Sequence, residues 1–220
     1  ATQQGYFNNT LLTQYASWDA ATQAAVTGEM LLNYIRGQNR NENQDRPGDY
    51  GSHYRAFRDR ENVLGDLVHS QPVYVQKPPF DYGDTGYAAY KSDKTGRAGA
   101  VYVASNDGML HAFNSQTGDE LWAYVPPQVL PTLYKLADGD FANSHQYYVD
   151  ASPVAGDVYI DGAWKTLLVG GFGKGARGYY ALDVTDPAAP KALWNFTEDD
   201  LGYSFGSPVI TKLEGSSQWV

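Results

Sequence analysis

The chain has 220 residues, of which 42% are hydrophobic and 14% aromatic, so it can bury a sizeable core in one or two domains. Its formal net charge of −9, without a dense Lys/Arg cluster, argues against nucleic acid as a partner. The sequence has no cysteine, which excludes disulfides and Cys-ligated metals, and no apolar stretch long enough to cross a bilayer as a helix.

The first sixty residues are predicted to hold one helix and a linker. The helix extends from Ser17, a possible N-cap, to Gly37, which can adopt the left-handed conformation that ends a helix. From Gln38 to Arg60 both charge signs mix with Asn and Gly, which predicts an exposed loop. We therefore expect residues 1–60 to form the helix and polar linker, and residues 61–220 to form a β domain.

Short β runs, bounded by Gly, Asn, Asp or Pro, follow in the second region. Two turns, Asn106 to Gly108 and Asp161 to Gly162, have the residues typical of tight hairpins, so we expect antiparallel meanders. The predicted strands are Val63 to Val75, Ala100 to Ala104, Met109 to Phe113, Leu121 to Tyr124, Ser152 to Ile160, Lys165 to Val169, Tyr179 to Val184, Ala192 to Phe196 and Ser207 to Lys212.

An internal repeat organises these strands. A Ser-Pro-Val or Ser-x-Pro-Val motif precedes each set, and Trp122 and Trp194 close equivalent units, where we expect them to pack between neighbouring sheets. The motif occurs at Ser70/Pro72/Val73, Ser152/Pro153/Val154 and Ser207/Pro208/Val209.

The repeat predicts a mainly β fold: a partial β-propeller of four-stranded antiparallel blades, preceded by one N-terminal helix. Two full blades and the first strand of a third are expected, whereas a closed propeller needs roughly 4 to 8. We therefore expect the chain to be part of a longer polypeptide, with any export signal upstream of residue 1.

Some motifs match known binding sites, but a structural role explains each of them as well. Gly173 to Gly178 matches G-x-G-x-x-G, but an alternating strand pattern follows instead of a helix, so a hairpin turn is favoured over a dinucleotide site. Asp138, Asp140 and Asn143 have part of a calcium-loop spacing but lack the glycine and the distant Glu. Asp199 and Asp200 are expected in a turn.

The histidines and tyrosines also favour structural roles. The histidines lie in different predicted elements, without the helical i, i+4 spacing of a zinc pair. The tyrosine pairs could form a carbohydrate or partner surface, although strand packing explains them better. We therefore assign no catalytic, cofactor-binding or metal-binding residue. The residues considered are His53, His69, His111, His145, Tyr147, Tyr148, Tyr179 and Tyr180.

Two resemblances emerge from these motifs. Ala112 to Trp122 is similar to the Ala-x-Asp-x-x-Thr-Gly-x-x-x-Trp pattern of quinoprotein-type blades, with Asn114 in place of Asp, and the second unit keeps Ala181, Asp183 and Trp194. The series LLNYIRG, VLGDLVHSQPVYV, VYVASNDGMLHAF and LVGGFGKGARGYYALDVTDP resembles the propeller of the PilY/PilC-like adhesins of type IV pili.

The second resemblance implies a non-enzymatic protein of pilus biogenesis, tip adhesion and twitching motility, exported to the cell surface, pilus tip or outer membrane of a bacterium. Implied partners are pilin or minor pilin subunits, a host or surface ligand and the rest of its own polypeptide. Some members of that family bind calcium, and the resemblance implies that such a site would lie in a part of the propeller beyond residue 220. No cofactor is expected in this chain. The alternatives are a quinoprotein dehydrogenase that binds pyrroloquinoline quinone and calcium, and a scaffold for outer-membrane protein assembly.

Overall fold

The structure is a computed structural model that describes residues 3–44, 54–216 and 218–219. The chain folds into two compact units. Unit 1 comprises residues 1–66 and 129–146, and unit 2 comprises residues 67–128 and 147–220. Within the described ranges, no helix is long and apolar enough to cross a membrane.

Unit 1 is helical, and the predicted N-terminal helix lies in it. The helical region is present, but it consists of two short helices, α1 (Ala20–Ala25) and α2 (Gly28–Ile35). Asp19 caps α1 instead of Ser17, and Thr27 caps α2 by accepting a hydrogen bond from the Met30 amide. The predicted left-handed glycine is confirmed, because Gly37 has φ +100°. Short 3-10 helices cover Gln3–Tyr6, Asn9–Leu11, Thr13–Ser17 and Phe141–Asn143.

The prediction that Gln38 to Arg60 forms an exposed loop is wrong for its described ends, while residues 45–53, including His53, lie outside the described residues. Arg60 is 9% exposed and its Nε donates to the Glu42 carboxylate at 2.8 Å, while Phe57 is fully buried. The Arg60 guanidinium lies 3.7 Å from the centre of the Tyr34 ring. Polar composition misled the prediction because a buried ion pair has the same residue types as a solvated loop.

Unit 2 contains two four-stranded antiparallel sheets of the same order, β1-β2-β3-β4 and β5-β6-β7-β8. Both predicted tight hairpins are confirmed: Gly108 lies between β2 and β3 with φ +90°, and Asp161 and Gly162 join β5 to β6 with φ 53° and 79°. The strands are β1 (Val73–Val75), β2 (Ala100–Ala104), β3 (Leu110–Asn114), β4 (Glu120–Tyr124), β5 (Val154–Ile160), β6 (Ala163–Gly171), β7 (Tyr179–Asp183) and β8 (Lys191–Phe196).

The repeat is visible in the pairing. β1 and β5 each begin at the Val of a Ser-Pro-Val motif, and each sheet has an irregular register directly after the Ala that faces its Trp. The pairs are Ala112 with Trp122 and Ala181 with Trp194. Both full blades predicted from the sequence are therefore present as four-stranded antiparallel sheets.

Two predicted strands differ from the structure. The run from Val63 is extended sheet only at Val73–Val75, and Val63, Leu64, Leu67 and Val68 are exposed. Ser207 to Lys212 forms no strand, apart from a single bridge between Lys212 and Trp219. An isolated segment without a partner strand cannot satisfy its backbone groups as a sheet, so its apolar composition alone was insufficient.

The long insertion between β1 and β2 forms helix α3 (Tyr87–Asp93) and a 3-10 turn, Lys94–Gly96. Tyr87 is 1% exposed and packs edge-on against the Trp164 ring, with centroids 4.6 Å apart. After β4 a 3-10 helix, Pro127–Ala137, begins at the end of the first sheet.

Candidate functional site

Residues at the same position of the three sequence repeats line one cleft in unit 2. His69, Asp150 and Phe205 each lie three residues before the Pro of a Ser-Pro-Val motif, and all three line one cleft of about 230 Å³. We call this the Asp150 cleft; its other lining residues are Ala151, Ser152, Gly173, Gly206 and Ser207.

The Asp150 carboxylate joins the starts of two sheets. Its side chain is 1% exposed, and its Oδ1 accepts hydrogen bonds from the His69 backbone amide at 3.2 Å and from Asn106 Nδ2 at 3.3 Å. The His69 Nδ1 lies 2.6 Å from the other carboxylate oxygen. A buried carboxylate is costly unless it is hydrogen-bonded, so these contacts fix the segment before β1 against the segment before β5.

Asn106 extends this network into the hairpin between β2 and β3. Its side-chain oxygen accepts a hydrogen bond from the Tyr148 amide at 3.0 Å, two residues before Asp150. The turn predicted from Asn106, Asp107 and Gly108 therefore also holds the approach to the second sheet.

The geometry orients the His69 imidazole through its Nδ1 contact with Asp150. The imidazole is 55% exposed, and among the described residues its Nε2 makes no hydrogen bond. The Ser152 hydroxyl donates to the backbone oxygen of His69 at 3.4 Å and accepts from the Gln71 amide at 2.9 Å. Ser152 thus links two backbone segments instead of facing the imidazole, so the arrangement suits binding and blade attachment.

Next to His69 of the cleft, an aromatic ring contacts a cation. The Lys174 ammonium lies 4.9 Å from the centre of the Tyr147 ring, and that ring is 5.9 Å from the His69 imidazole. Phe205 is 66% exposed. A ring with a polar or charged neighbour is a common element of partner surfaces.

Gly173 to Gly178 forms a hairpin turn between β6 and β7, which confirms the structural interpretation of the G-x-G-x-x-G match. A Cβ at Gly175 would lie 1.7 Å from the Tyr148 oxygen, and Gly178 has φ +135°. The glycines are thus required by close backbone approach and by conformation.

His111 is buried in the first sheet between two carboxylates. Its Nδ1 lies 2.6 Å from the Glu120 carboxylate, and its Nε2 lies 3.1 Å from each oxygen of Asp107. Burial opposes protonation of the imidazole, but hydrogen bonds and charge from Asp107 and Glu120 outweigh it and raise the pKa of His111 above its usual value. His145 lies apart from this cluster, 3.2 Å from Asp66.

The acidic turn considered as a calcium loop does not fit a metal cage. Asp138 accepts hydrogen bonds from the Thr13 hydroxyl at 2.5 Å and from its amide at 3.0 Å, and Asp140 accepts from Asn143 at 2.7 Å. Burial opposes ionisation of Asp138, yet these bonds lower its pKa. No group of three or more potential metal ligands is present within the described ranges.

The remaining candidates have structural positions. Tyr180 is buried on β7, as expected for strand packing, and Tyr148 is buried in a bend outside the strands. Tyr147 and Tyr179 are only partly buried. Asp199 and Asp200 lie in an exposed turn. Asp150 was not among the candidate residues predicted from the sequence. An alignment of the three Ser-Pro-Val motifs would have shown it, because it lies three residues before the Pro of the second motif.

The comparisons with known proteins agree with this architecture. A family model described as "PilY1 beta-propeller domain" matches residues 64–219. The chain belongs to the PilY1 β-propeller family.

Relatives support the same assignment. The chain is 41% identical over 224 residues to the type IV pilus biogenesis factor PilY1 of Pseudomonas aeruginosa strain UCBPP-PA14. The alignment covers 94% of this chain and 18% of that protein. It is 39% identical over 202 residues to a PilY1 homolog of Xylella fastidiosa strain Temecula1, covering 87% of this chain and 16% of that protein. The chain therefore spans less than a fifth of the length of these relatives.

A solved structure shares the fold. The crystal structure of the Pseudomonas aeruginosa PilY1 C-terminal domain is similar to this chain with a TM-score of 0.53 and 38% sequence identity. The match covers 66% of this chain and 30% of that chain. PilY1-type relatives thus share sequence and architecture with this chain.

Proposed function

We propose that this chain is part of a non-enzymatic β-propeller that acts in type IV pilus biogenesis. The observation that carries the proposal is the 41% identity over 94% of the chain to a protein named type IV pilus biogenesis factor PilY1. In this proposal the protein is exported to the bacterial surface, the pilus tip or the outer membrane, and contributes to adhesion and twitching motility.

The partners we propose are pilin or minor pilin subunits, a host or surface ligand, and the rest of the protein's own polypeptide. Support for the last comes from β8, on which every residue is exposed, including Leu193 at 36%, Trp194 at 45% and Phe196 at 45%. Large apolar side chains on one strand favour contact with further protein.

The matching relatives give no support to the quinoprotein alternative. We also propose that any calcium belongs to another part of the parent protein, since the Asp138 turn uses its oxygens internally. Chelation should then leave the thermal unfolding of both units unchanged. If quinone plus calcium gave the native-length protein dye-linked alcohol oxidation, the non-enzymatic proposal would be overturned.

The direct test is genetic. Deleting the gene should abolish or strongly reduce surface pili and twitching, and unchanged pili and twitching would contradict the proposal. Asp150→Ala should reproduce much of that loss, because it removes the acceptor that joins the two sheets, whereas Asp199→Ala in the exposed turn should not. Normal pili with Asp150→Ala alone would show that the Asp150 cleft is dispensable.

A further inference from the structure

A second cleft in unit 2 lies between the edge strands of the two sheets. β1 and β5 are the first strands of their sheets and, among the described residues, have a sheet partner on one side only. Their residues Val73 to Val75 and Ala155 to Asp157 line a cleft of about 270 Å³. We call it the Arg97 cleft; its other lining residues are Gln76, Lys77, Pro79, Phe80, Arg97 and Thr166.

Arg97 brings a buried positive charge to this cleft. Arg97 is 9% exposed, and its Nε donates to the backbone oxygen of Gln76. Its Nη1 donates to Thr166 Oγ1 at 2.7 Å and to the backbone oxygen of Thr185 at 3.5 Å. The third nitrogen, Nη2, is buried and has no hydrogen-bond partner in the part of the chain that the structure describes. An unpaired donor on a buried cation is unfavourable, so an acceptor that reaches Nη2 would be strongly favoured.

The neighbouring carboxylates leave this charge without a direct partner. Within the described ranges, Arg97 makes no ion pair with a carboxylate. Asp157 also lines the cleft, but its two oxygens already accept hydrogen bonds from Tyr87 Oη at 2.7 Å and Thr166 Oγ1 at 2.6 Å. Because Nε and Nη1 already donate to protein oxygens, Nη2 is the group left for an added acceptor, and a carboxylate oxygen matches its positive charge.

The surroundings indicate what carries that carboxylate. The walls include the apolar residues Val73, Val75, Pro79, Phe80 and Ala155, and the volume is at or below the lower end of the roughly 300–1,000 Å³ typical of small-molecule sites. Edge strands offer unpaired backbone groups that bind an extended chain, and chain-terminal carboxylates are bound in this way by other domains.

We propose that the Arg97 cleft binds the C-terminal carboxylate of an apolar peptide segment, with Arg97 as the residue that contacts the carboxylate. The last one or two side chains of the segment fill the apolar walls, and its backbone lies against the edge of β1 or β5. This inference is independent of the pilus role, because it concerns ligand chemistry that can be measured without pili.

The test is calorimetric titration of the native-length protein with acetyl-Gly-Val-Leu. Its free-acid form should bind in the micromolar to millimolar range, and its C-terminal amide at least about tenfold more weakly, because the amide lacks the charge that pairs with Arg97. Hexanoate should bind at least tenfold more weakly than the free-acid peptide, because it makes no backbone contacts. Hexanoate binding as tight as the peptide would overturn the peptide assignment in favour of a small organic acid.

Two variants locate the site. Arg97→Gln should reduce affinity for the free-acid peptide at least about tenfold, whereas the matched control Arg177→Gln, an exposed arginine of unit 2, should leave it unchanged. If Arg97→Gln fails to fold, Ala155→Leu keeps Arg97 but fills the cleft, and should also abolish binding. No binding by the wild-type protein, equal binding of acid and amide, or wild-type affinity in both variants would overturn the proposal.

Discussion

The two sheets of unit 2 have the same strand order and the same irregularity beside their Trp, yet they fill equivalent positions differently. In the first sheet Val103 pairs with His111, and in the second Gly170 pairs with Tyr180. His111 bonds to two carboxylates, whereas Tyr180 is fully buried and its hydroxyl has no partner among the described residues. The repeat therefore keeps its backbone pairing, while the second sheet combines a larger residue on β7 with a smaller one on β6.

The largest expected effect comes from replacing Gly170 of the second sheet by valine, the residue that the first sheet has at the equivalent position. A Cβ at Gly170 would lie 2.3 Å from the Tyr180 ring, so Gly170→Val should destabilise unit 2 by about 3 kcal/mol or more. Urea unfolding would measure the loss. Adding Tyr180→His, which recreates the Val103–His111 pair, should recover part of it. Gly202→Val is the control, since a Cβ there meets no described atom within 4 Å.

The two Trp residues should differ in the next-largest effect. Trp122 is half-buried and its Nε1 donates to the Pro187 oxygen at 2.7 Å, whereas Trp194 is 45% exposed. Trp122→Ala should therefore cost about 2 kcal/mol of unfolding free energy and Trp194→Ala about 1 kcal/mol or less. Equal losses in the native-length protein would show that further protein covers Trp194.

The stability of the first sheet should depend on pH through His111. Because the pKa of His111 is raised above its usual 6.5, its protonated form stabilises the native state. This contribution is fully present below about pH 6.5 and is lost as pH rises through the native pKa. The stability difference between wild type and His111→Gln should thus shrink from acidic to alkaline pH in thermal unfolding. A difference that grows with pH would refute the ion-pair account.

The smallest expected effect concerns the equivalent turns after β3 and β7. Asn114 Oδ1 accepts hydrogen bonds from the Gln116 and Thr117 amides, and Asp183 accepts from the Thr185 amide. Asn114→Asp makes the first turn like the second and should change stability by about 0.5 kcal/mol or less. Asn114→Ala removes the acceptor and should cost about 1 kcal/mol, and the same unfolding assay would compare them. A large loss with Asn114→Asp would show that the turns are not interchangeable.

Local patterns predicted much of unit 2, because each strand was marked by alternation, a turn residue or the repeat. Asn106 to Gly108 and Asp161 to Gly162 are local signals whose backbone conformation needs no distant partner. Long-range contacts were missed: the burial of Glu42 depends on Arg60, and that of Asp150 on His69, 81 residues earlier. The strand at Ser207 failed for the same reason, since sheet formation requires a neighbour that sequence alone does not provide.

Unit 1 is built from two separated stretches of chain, and this has a consequence for the order of folding. The Tyr34 hydroxyl donates to the Leu136 oxygen at 3.1 Å, and Gln14 Nε2 donates to the Ala137 oxygen at 3.0 Å. During synthesis, these acceptors emerge from the ribosome only after the whole first sheet, roughly 5 to 10 s later at about 10 to 20 residues per second. The helices α1 and α2 are made before the first sheet, yet their unit is completed after β4, so the segment that contains these helices must remain free of competing contacts during that interval.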